Sequence, residues 1–353
     1  VKFIWFWWHQ RFLDCWPGDL MIKFAVRLMT RPAFLCGVLA LSMVAAGWLW
    51  VSSMFGRPGP HTHDSIVIIT AGSGHAAVRR DLQRVGVLHQ MYHYDAARML
   101  TGDDFVPKAG EYLLPAGANL RQIMDILHKG KSLQRRLTVV EGQTSAKIIT
   151  ALNAMPDLTG TVHSMVDEGS LYPDTYFYTY ATARVDVISR MQDRMQITLA
   201  EAWASRKPDL PYKTPFEALI IASIVEKEAA SKADRHLVAA VFVNRMKRGM
   251  RLQSDPTVRY GIAVNANQPI SKADLRRRTP WNTYAMSGLP KTPICNPGFA
   301  SLEAALHPAD SDFLYFVSDG FGGLRFAKTL DAHNKNVRLF RAIEAKNPKG
   351  PKP

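Results

Sequence analysis

The chain has 353 residues, 47% of them hydrophobic and 21% charged, which suits two ordinary domains plus a short extra segment and excludes wholesale disorder. The formal charge is +14, but the Lys and Arg are scattered and no RNA- or DNA-binding signature accompanies them. The excess therefore reads as a surface facing anionic lipid or an anionic cell-wall polymer, with no nucleic acid among the partners. The three cysteines, Cys15, Cys36 and Cys295, are too few for a disulfide framework, and nothing near Cys295 in the sequence would activate its thiol, so it is expected to be buried and inert.

Residues 1–20 cluster aromatic side chains without a helical period, and Met21 opens a short basic stretch. The functional start is therefore expected at Met21, with residues 1–32 as a tail. Ala33–Met54 is uncharged from end to end. At about 1.5 Å rise per residue it can cross a ~30 Å hydrocarbon core. Lys23, Arg27 and Arg31 precede it and only Arg57 follows closely. This asymmetry places the N-terminus in the cytoplasm and everything after the span outside it, in the periplasm of a cell with an inner membrane. The run is longer than a signal-peptide core and has no clear cleavage site, so a single-pass, uncleaved anchor is expected.

Residues 55–63 read as a linker, with two prolines and a glycine in Arg57–His63. Residues 64–135 form a small α/β unit of strand–helix–helix–strand type. Its signals are the β-branched Ser65–Thr70, the helical spacing of Val78, Leu82 and Val85, a short strand at Tyr112–Leu114, and the apolar stripe 120, 123, 124 and 127. Residues 136–345 read as a larger, mainly helical α+β domain. It has a strand at Leu137–Val140, helices near Val185–Ser205, Pro215–Ala230 and Ala233–Lys247, short strands at Phe313–Val317 and Arg325–Phe326, and a closing helix at Leu330–Ala345. The tail, 346–353, is Pro, Gly and Lys and is expected to be disordered.

Two patterns are decoys. Gly72, Gly74 and Ala77 follow a strand and open a helix, as in a dinucleotide fingerprint, but the rest of a βαβαβ pattern is missing, so a glycine turn is the better reading. His89 and His93 are four apart with no third ligand nearby, and are read as solvated. No metal and no cofactor is expected.

The segment that can carry chemistry begins with Thr214-Pro215-Phe216-Glu217, a capping box with proline at the first helical position. On the helix it starts, Glu226 has Ala222, Ser223, Ala229 and Ala230 as its same-face neighbours. Small neighbours would leave a space above the carboxyl where a sugar could lie, and partial burial would keep it protonated as a general acid requires. Glu228 is expected about 100° around the helix, beside Ile221 and Ile224. Helix geometry alone favours Glu226 as a surface glutamate paired with lysine; the rest of the chain changes that balance. Beyond this helix, Gln253, Asp255, Thr257, Tyr260, Asn282, Thr283, Tyr284 and Asn296 fall among prolines and glycines. Amides, hydroxyls and rings in rigid loops are the groups that grip a polar sugar.

Seven ordered runs resemble the endolytic murein transglycosylases of the YceG-like family. They are Glu141-Gly142, Glu168-Gly-Ser-Leu-Tyr172-Pro-Asp174-Thr-Tyr176, Ala222-Ser-Ile-Val-Glu226-Lys-Glu228, Leu252-Gln-Ser-Asp255-Pro-Thr257-Val, Asn282-Thr-Tyr284-Ala-Met-Ser-Gly288-Leu-Pro, Asn296-Pro-Gly298 and Leu314-Tyr-Phe-Val317. The chain departs from the family pattern at Ser254, Lys291 and Leu324. The resemblance implies a LysM-like subdomain at 64–135 and a catalytic domain at 136–345. It implies Glu226 as the catalytic acid and base, and sugar contacts from Tyr172, Asp174, Gln253, Asp255, Thr257, Tyr260, Asn282, Thr283, Tyr284 and Asn296. The implied reaction cuts the N-acetylmuramic acid–N-acetylglucosamine bond of nascent peptidoglycan strands and leaves 1,6-anhydro ends, ending polymerisation beside the peptidoglycan synthases. The alternative is a non-catalytic peptidoglycan-binding scaffold, which would have no use for Glu226 in such surroundings.

Overall fold

The computed structural model of the chain describes residues 26–27, 32–101, 105–229, 231, 233–262 and 269–346. Met21, Ala230 and the tail 347–353 lie outside them, and with them the expectations about the start and the disordered end. The chain divides into two compact units, Val1–Leu133 and Gln134–Pro353.

The first unit opens with α1 (Pro32–Gly56). Residues Phe34–Gly56 of it are long and apolar enough to cross a membrane, which is compatible with an anchor or a signal sequence. Its last turn places Phe55 in the unit's apolar core. Strands β1 (Ser65–Ile69) and β2 (Gly110–Leu114) pair antiparallel, with Val67 opposite Tyr112. Alternation points Val67, Ile69, Tyr112 and Leu114 inward. Between the strands lie α2 (His75–Arg84) and α3 (Met91–Thr101), and after them α4 (Leu120–Lys129). Helix α4 is stopped at both ends by local chemistry: Asn119 and Gln122 form a capping box and Gly130 takes the left-handed C-cap. Leu120, Ile123, Met124 and Leu127 are buried, the stripe the spacing predicts. Antiparallel pairing of β1 also removes the dinucleotide reading, which needs parallel strands.

The second unit mixes helices with two two-stranded sheets. Strand β3 (Arg135–Thr138) pairs antiparallel with β4 (Thr175–Tyr178) across α5 (Ser145–Asn153). Then follow α6 (Arg184–Ala204), α7 (Pro215–Glu228), α8 (Arg235–Lys247), and the short α9 (Asp255–Ile262), α10 (Lys272–Arg276) and α11 (Phe299–Leu306). The antiparallel pair β5 (Tyr315–Ser318) and β6 (Leu324–Ala327) precedes the final α12 (Leu330–Lys346). Helix α7 is the axis of the unit. Its residues Ala218–Val225 are all buried, and it packs against α6, α8, α9 and α11. A helix apolar all round is stable only when enclosed on every side. Thr214 caps it by accepting the Glu217 N–H, and Pro215 sets its first turn.

Candidate active site

Glu226 lies near the C-terminal end of α7 with its side chain 6% exposed. Its Oε2 accepts the backbone N–H of Gly298 at 3.0 Å. Gly298 is the N-cap of α11, so the carboxylate meets the unsatisfied, positive end of that helix. Its Oε1 accepts Nη2 of Arg235 at 3.2 Å, and Glu141 Oε2 lies 3.8 Å from the same nitrogen. Two glycines lie against this cluster, one required by its backbone angle and one by close approach. At Gly142, φ is +76° and a Cβ would stand 3.5 Å from Glu226 Cγ; at Gly298 a Cβ would collide with the Glu141 carboxylate. Lys227 Nζ donates to the Gly142 carbonyl at 3.4 Å.

The small residues of α7 do a different job from the one expected. Ala222 and Ser223 are buried in the core rather than framing an open space, and Ala229, also buried, lies past the helix end in an extended conformation. They let neighbouring segments approach closely: Ser223 Oγ accepts the Ile294 N–H at 3.0 Å, and the Cys295 thiol donates to the Ser223 carbonyl. Cys295 is a buried free thiol whose pKa is pushed up by that burial.

Glu228 is not a quarter-turn from Glu226. Two residues turn an α-helix by about 200°, so the two carboxyls leave α7 on nearly opposite sides. Glu228 accepts the Ser254 hydroxyl at 2.6 Å. Enclosure by protein, aided by the nearby Asp255 charge, pushes its pKa up to about 7, against the pull of the Ser254 hydrogen bond and of Arg245. Asp255 in turn accepts the Tyr284 hydroxyl at 2.7 Å. Asp255 and Tyr284, expected beside Glu226, are thus gathered with Glu228.

The other predicted contacts divide between framework and surface. Thr257, Asn282, Thr283 and Asn296 are 0% exposed. Their polar atoms are engaged within the protein. Thr257 and Thr283 bond to each other at 2.9 Å and hold Ser254. Asn282 Nδ2 donates to the carbonyls of Asp274, Leu275 and Arg277. Asn296 accepts from Leu171 N–H at 2.7 Å and donates to Gln143 O and Ser145 Oγ, both at 3.0 Å. These four fix loops; they offer a sugar no free face. Tyr260 donates to Glu168 at 3.0 Å, and Glu168, whose pKa burial raises, also accepts the Ser145 N–H. Asp174 is exposed, with Oδ1 on the Thr175 N–H, and Gln253 is exposed in a left-handed conformation with φ +51°. Tyr172 is half-buried, under the Arg194 guanidinium, and feels the charge of Glu141. A cavity of 590 Å³ lined by Lys207, Asn244, Lys247 and Asp310 holds none of the predicted residues.

Sequence reasoning missed Arg235 and assigned no role to Glu141. Glu141 lay in a matching run; Arg235 has no such signal, because a cation at a helix start ordinarily reads as solvated.

The chain matches the YceG-like family over residues 67–339. It belongs to the YceG-like family. It is 38% identical over 182 residues to an endolytic murein transglycosylase from Bacillus subtilis, a match covering 52% of this chain and 49% of that protein. An endolytic murein transglycosylase from Streptococcus pneumoniae is 34% identical over 201 residues, covering 55% of this chain and 36% of its own length. The matches thus span half or less of these relatives. A solved structure of a putative YceG-like protein from Listeria monocytogenes is 29% identical, with 77% of this chain and 98% of that chain covered and a TM-score of 0.49. Within this YceG-like chain, the catalytic candidates are Glu226, with Glu141 and Arg235 about it, and the separate Glu228 cluster.

Proposed function

We propose that the protein is an endolytic lytic transglycosylase of peptidoglycan, with Glu226 as its single acid and base. Glu226 donates a proton to the oxygen joining N-acetylmuramic acid to N-acetylglucosamine, and the C1–O bond breaks. The carboxylate then takes the proton of the muramyl 6-hydroxyl as that oxygen attacks C1 and closes a 1,6-anhydro ring. No water is consumed, so one carboxyl serves both halves, unlike the paired carboxylates of most glycoside hydrolases. The observation that carries this reading is the placing of Glu226, enclosed yet held by only a backbone N–H and one guanidinium nitrogen. That resting arrangement suits the base half. In the acid half one oxygen must carry a proton, and Oε1, held by Arg235 at 3.2 Å, is the looser of the two. The names of the curated relatives support the substrate. Residues 64–135 serve as the LysM-like glycan-binding part, and α1 anchors the chain to the inner membrane with everything after the span outside the cytoplasm. There it cuts strands as peptidoglycan synthases extend them.

A second reading comes from Glu228, whose pKa of about 7 suits a general acid. The two are separated by Glu226→Gln and Glu228→Gln, assayed by release of 1,6-anhydromuramyl ends from purified peptidoglycan. Glu226→Gln is expected to lose at least the ~10²–10⁴-fold typical of general acid–base catalysis, while Glu228→Gln keeps most activity. The reverse pattern transfers the role to Glu228. No anhydro ends from the unsubstituted protein leaves the scaffold reading.

A further inference from the structure

Arg235 opens α8 and is only 7% exposed. One of its three guanidinium nitrogens is in use: Nη2, on Glu226 at 3.2 Å and near Glu141 at 3.8 Å. Nε and Nη1 are buried and have no hydrogen-bond partner among the described residues. Two unmet donors on a buried cation are costly, since each has given up water and gained nothing. Holding Glu226 alone does not require them, because the single Nη2 contact does that. Donors kept buried and vacant beside a reactive carboxyl are suited to an acceptor that arrives with the substrate.

The charges decide what kind of acceptor. Arg235 and Lys227 stand against Glu226 and Glu141, so the cluster has no surplus positive charge to recruit an anion. A neutral oxygen fits instead. Resting on the Glu226 reading above, we propose that Nε–H and Nη1–H of Arg235 receive an amide carbonyl oxygen of the glycan next to the bond Glu226 cuts. Peptidoglycan offers two such carbonyls, the N-acetyl group of each sugar and the lactyl amide that begins each stem peptide. Binding either one shares the guanidinium's charge, which now serves Glu226 and Glu141 alone. The 3.2 Å contact then loosens and Oε1 is released for the proton step.

The test compares kcat and KM of the full chain on three strand preparations: intact peptidoglycan, chemically de-N-acetylated strands, and strands stripped of stem peptides by an amidase. The variants are Arg235→Gln and Arg235→Lys. Lysine keeps a cation beside both glutamates but cannot supply the two extra donors. The unsubstituted protein is expected to lose about 10–100-fold in kcat/KM on the preparation lacking the amide it reads, the range for a hydrogen bond to a charged donor. Arg235→Lys should start lower on intact strands, chiefly through KM, and lose little more on that preparation. Loss on de-N-acetylated strands identifies the acetamido group; on amidase-treated strands hydrolysis leaves a lactyl carboxylate where the neutral amide was, so a change in kcat/KM there that is smaller in Arg235→Lys identifies the lactyl carbonyl. Equal fold-losses in variant and parent on both preparations overturn the proposal, as does a parent indifferent to both, a comparison that needs no variant to fold. Melting curves show whether Arg235→Gln is folded; if it is not, the lysine variant carries the comparison. Absence of anhydro products from intact strands overturns the Glu226 reading, and this inference with it.

Discussion

Glu226 and Glu228 sit two positions apart on one helix and meet opposite surroundings. Glu226 accepts two N–H groups, one of them from a cation. Glu228 is enclosed, accepts one hydroxyl, and has the Asp255 carboxylate near it, so its pKa rises from 4.5 to about 7. Between those two values the folded protein holds a proton that the unfolded chain has released. The contribution of Glu228 to stability is therefore greatest below about pH 4.5, falls as pH rises to about 7, and stays at its lower level above that. At about 1.4 kcal/mol per pKa unit, the upper limit is about 3 kcal/mol. Glu228→Gln keeps an acceptor for Ser254 and removes the charge. It should flatten this slope and melt several degrees above the unsubstituted protein at pH 8, with little difference at pH 4.5. Parallel melting-temperature profiles for the two proteins would assign the pH dependence to another group.

At the scale of elements, the site depends on how a few short segments are tied together. Asn296 joins the segment before α11 to residues 143–145 and to Leu171. Two residues later, Gly298 supplies the N–H that holds Glu226. Asn296→Ala strands several buried polar groups at once. With each costing about 1–3 kcal/mol, the loss should be roughly 2–4 kcal/mol by denaturant unfolding, with anhydro-product release falling even where the protein remains folded. Unchanged stability would mean that the knot is not what fixes this loop. The same elements show what a sequence can and cannot disclose. Helices α4 and α7 were legible because each carries its own signals: an apolar stripe in one, and in the other a Thr-Pro start ahead of a long apolar run. Helices α9 and α11 were not, because each is 8 residues long and bracketed by proline and glycine, so local chemistry reads as turn. The ring of small residues about Glu226 was visible, but whether it faces a void or a packed neighbour depends on segments seventy residues away. Ser223 meets Ile294 and Cys295, and no local pattern announces that contact. Amides and hydroxyls such as Asn282, Thr283 and Asn296 look the same in sequence whether they will bind a ligand or their own backbone.

At the scale of the whole chain, the strongest physical constraint is α1. Phe34–Gly56 is uncharged and exposes Leu39, Leu41, Met43, Val44, Trp48 and Leu49 along its length. So much contiguous apolar surface is not stable in water, and a bilayer covers it at no cost in polar groups, since a helix satisfies its backbone internally. The proposed direction of insertion rests on Lys23, Arg27 and Arg31 on one flank against Arg57 on the other. The proposed substrate requires the same direction, because peptidoglycan lies outside the cytoplasm. An enzymatic reporter fused after Pro353 is therefore expected to be active only when it folds outside, and the fusion should stay in the membrane fraction after alkaline carbonate washing. Removing residues 32–56 should abolish both behaviours. A reporter active in the cytoplasm would overturn the orientation and, with it, access to the glycan. A reporter active outside but released by the carbonate wash would make α1 a cleaved signal, leaving the chemistry at Glu226 in place and removing the anchor that holds it near growing strands.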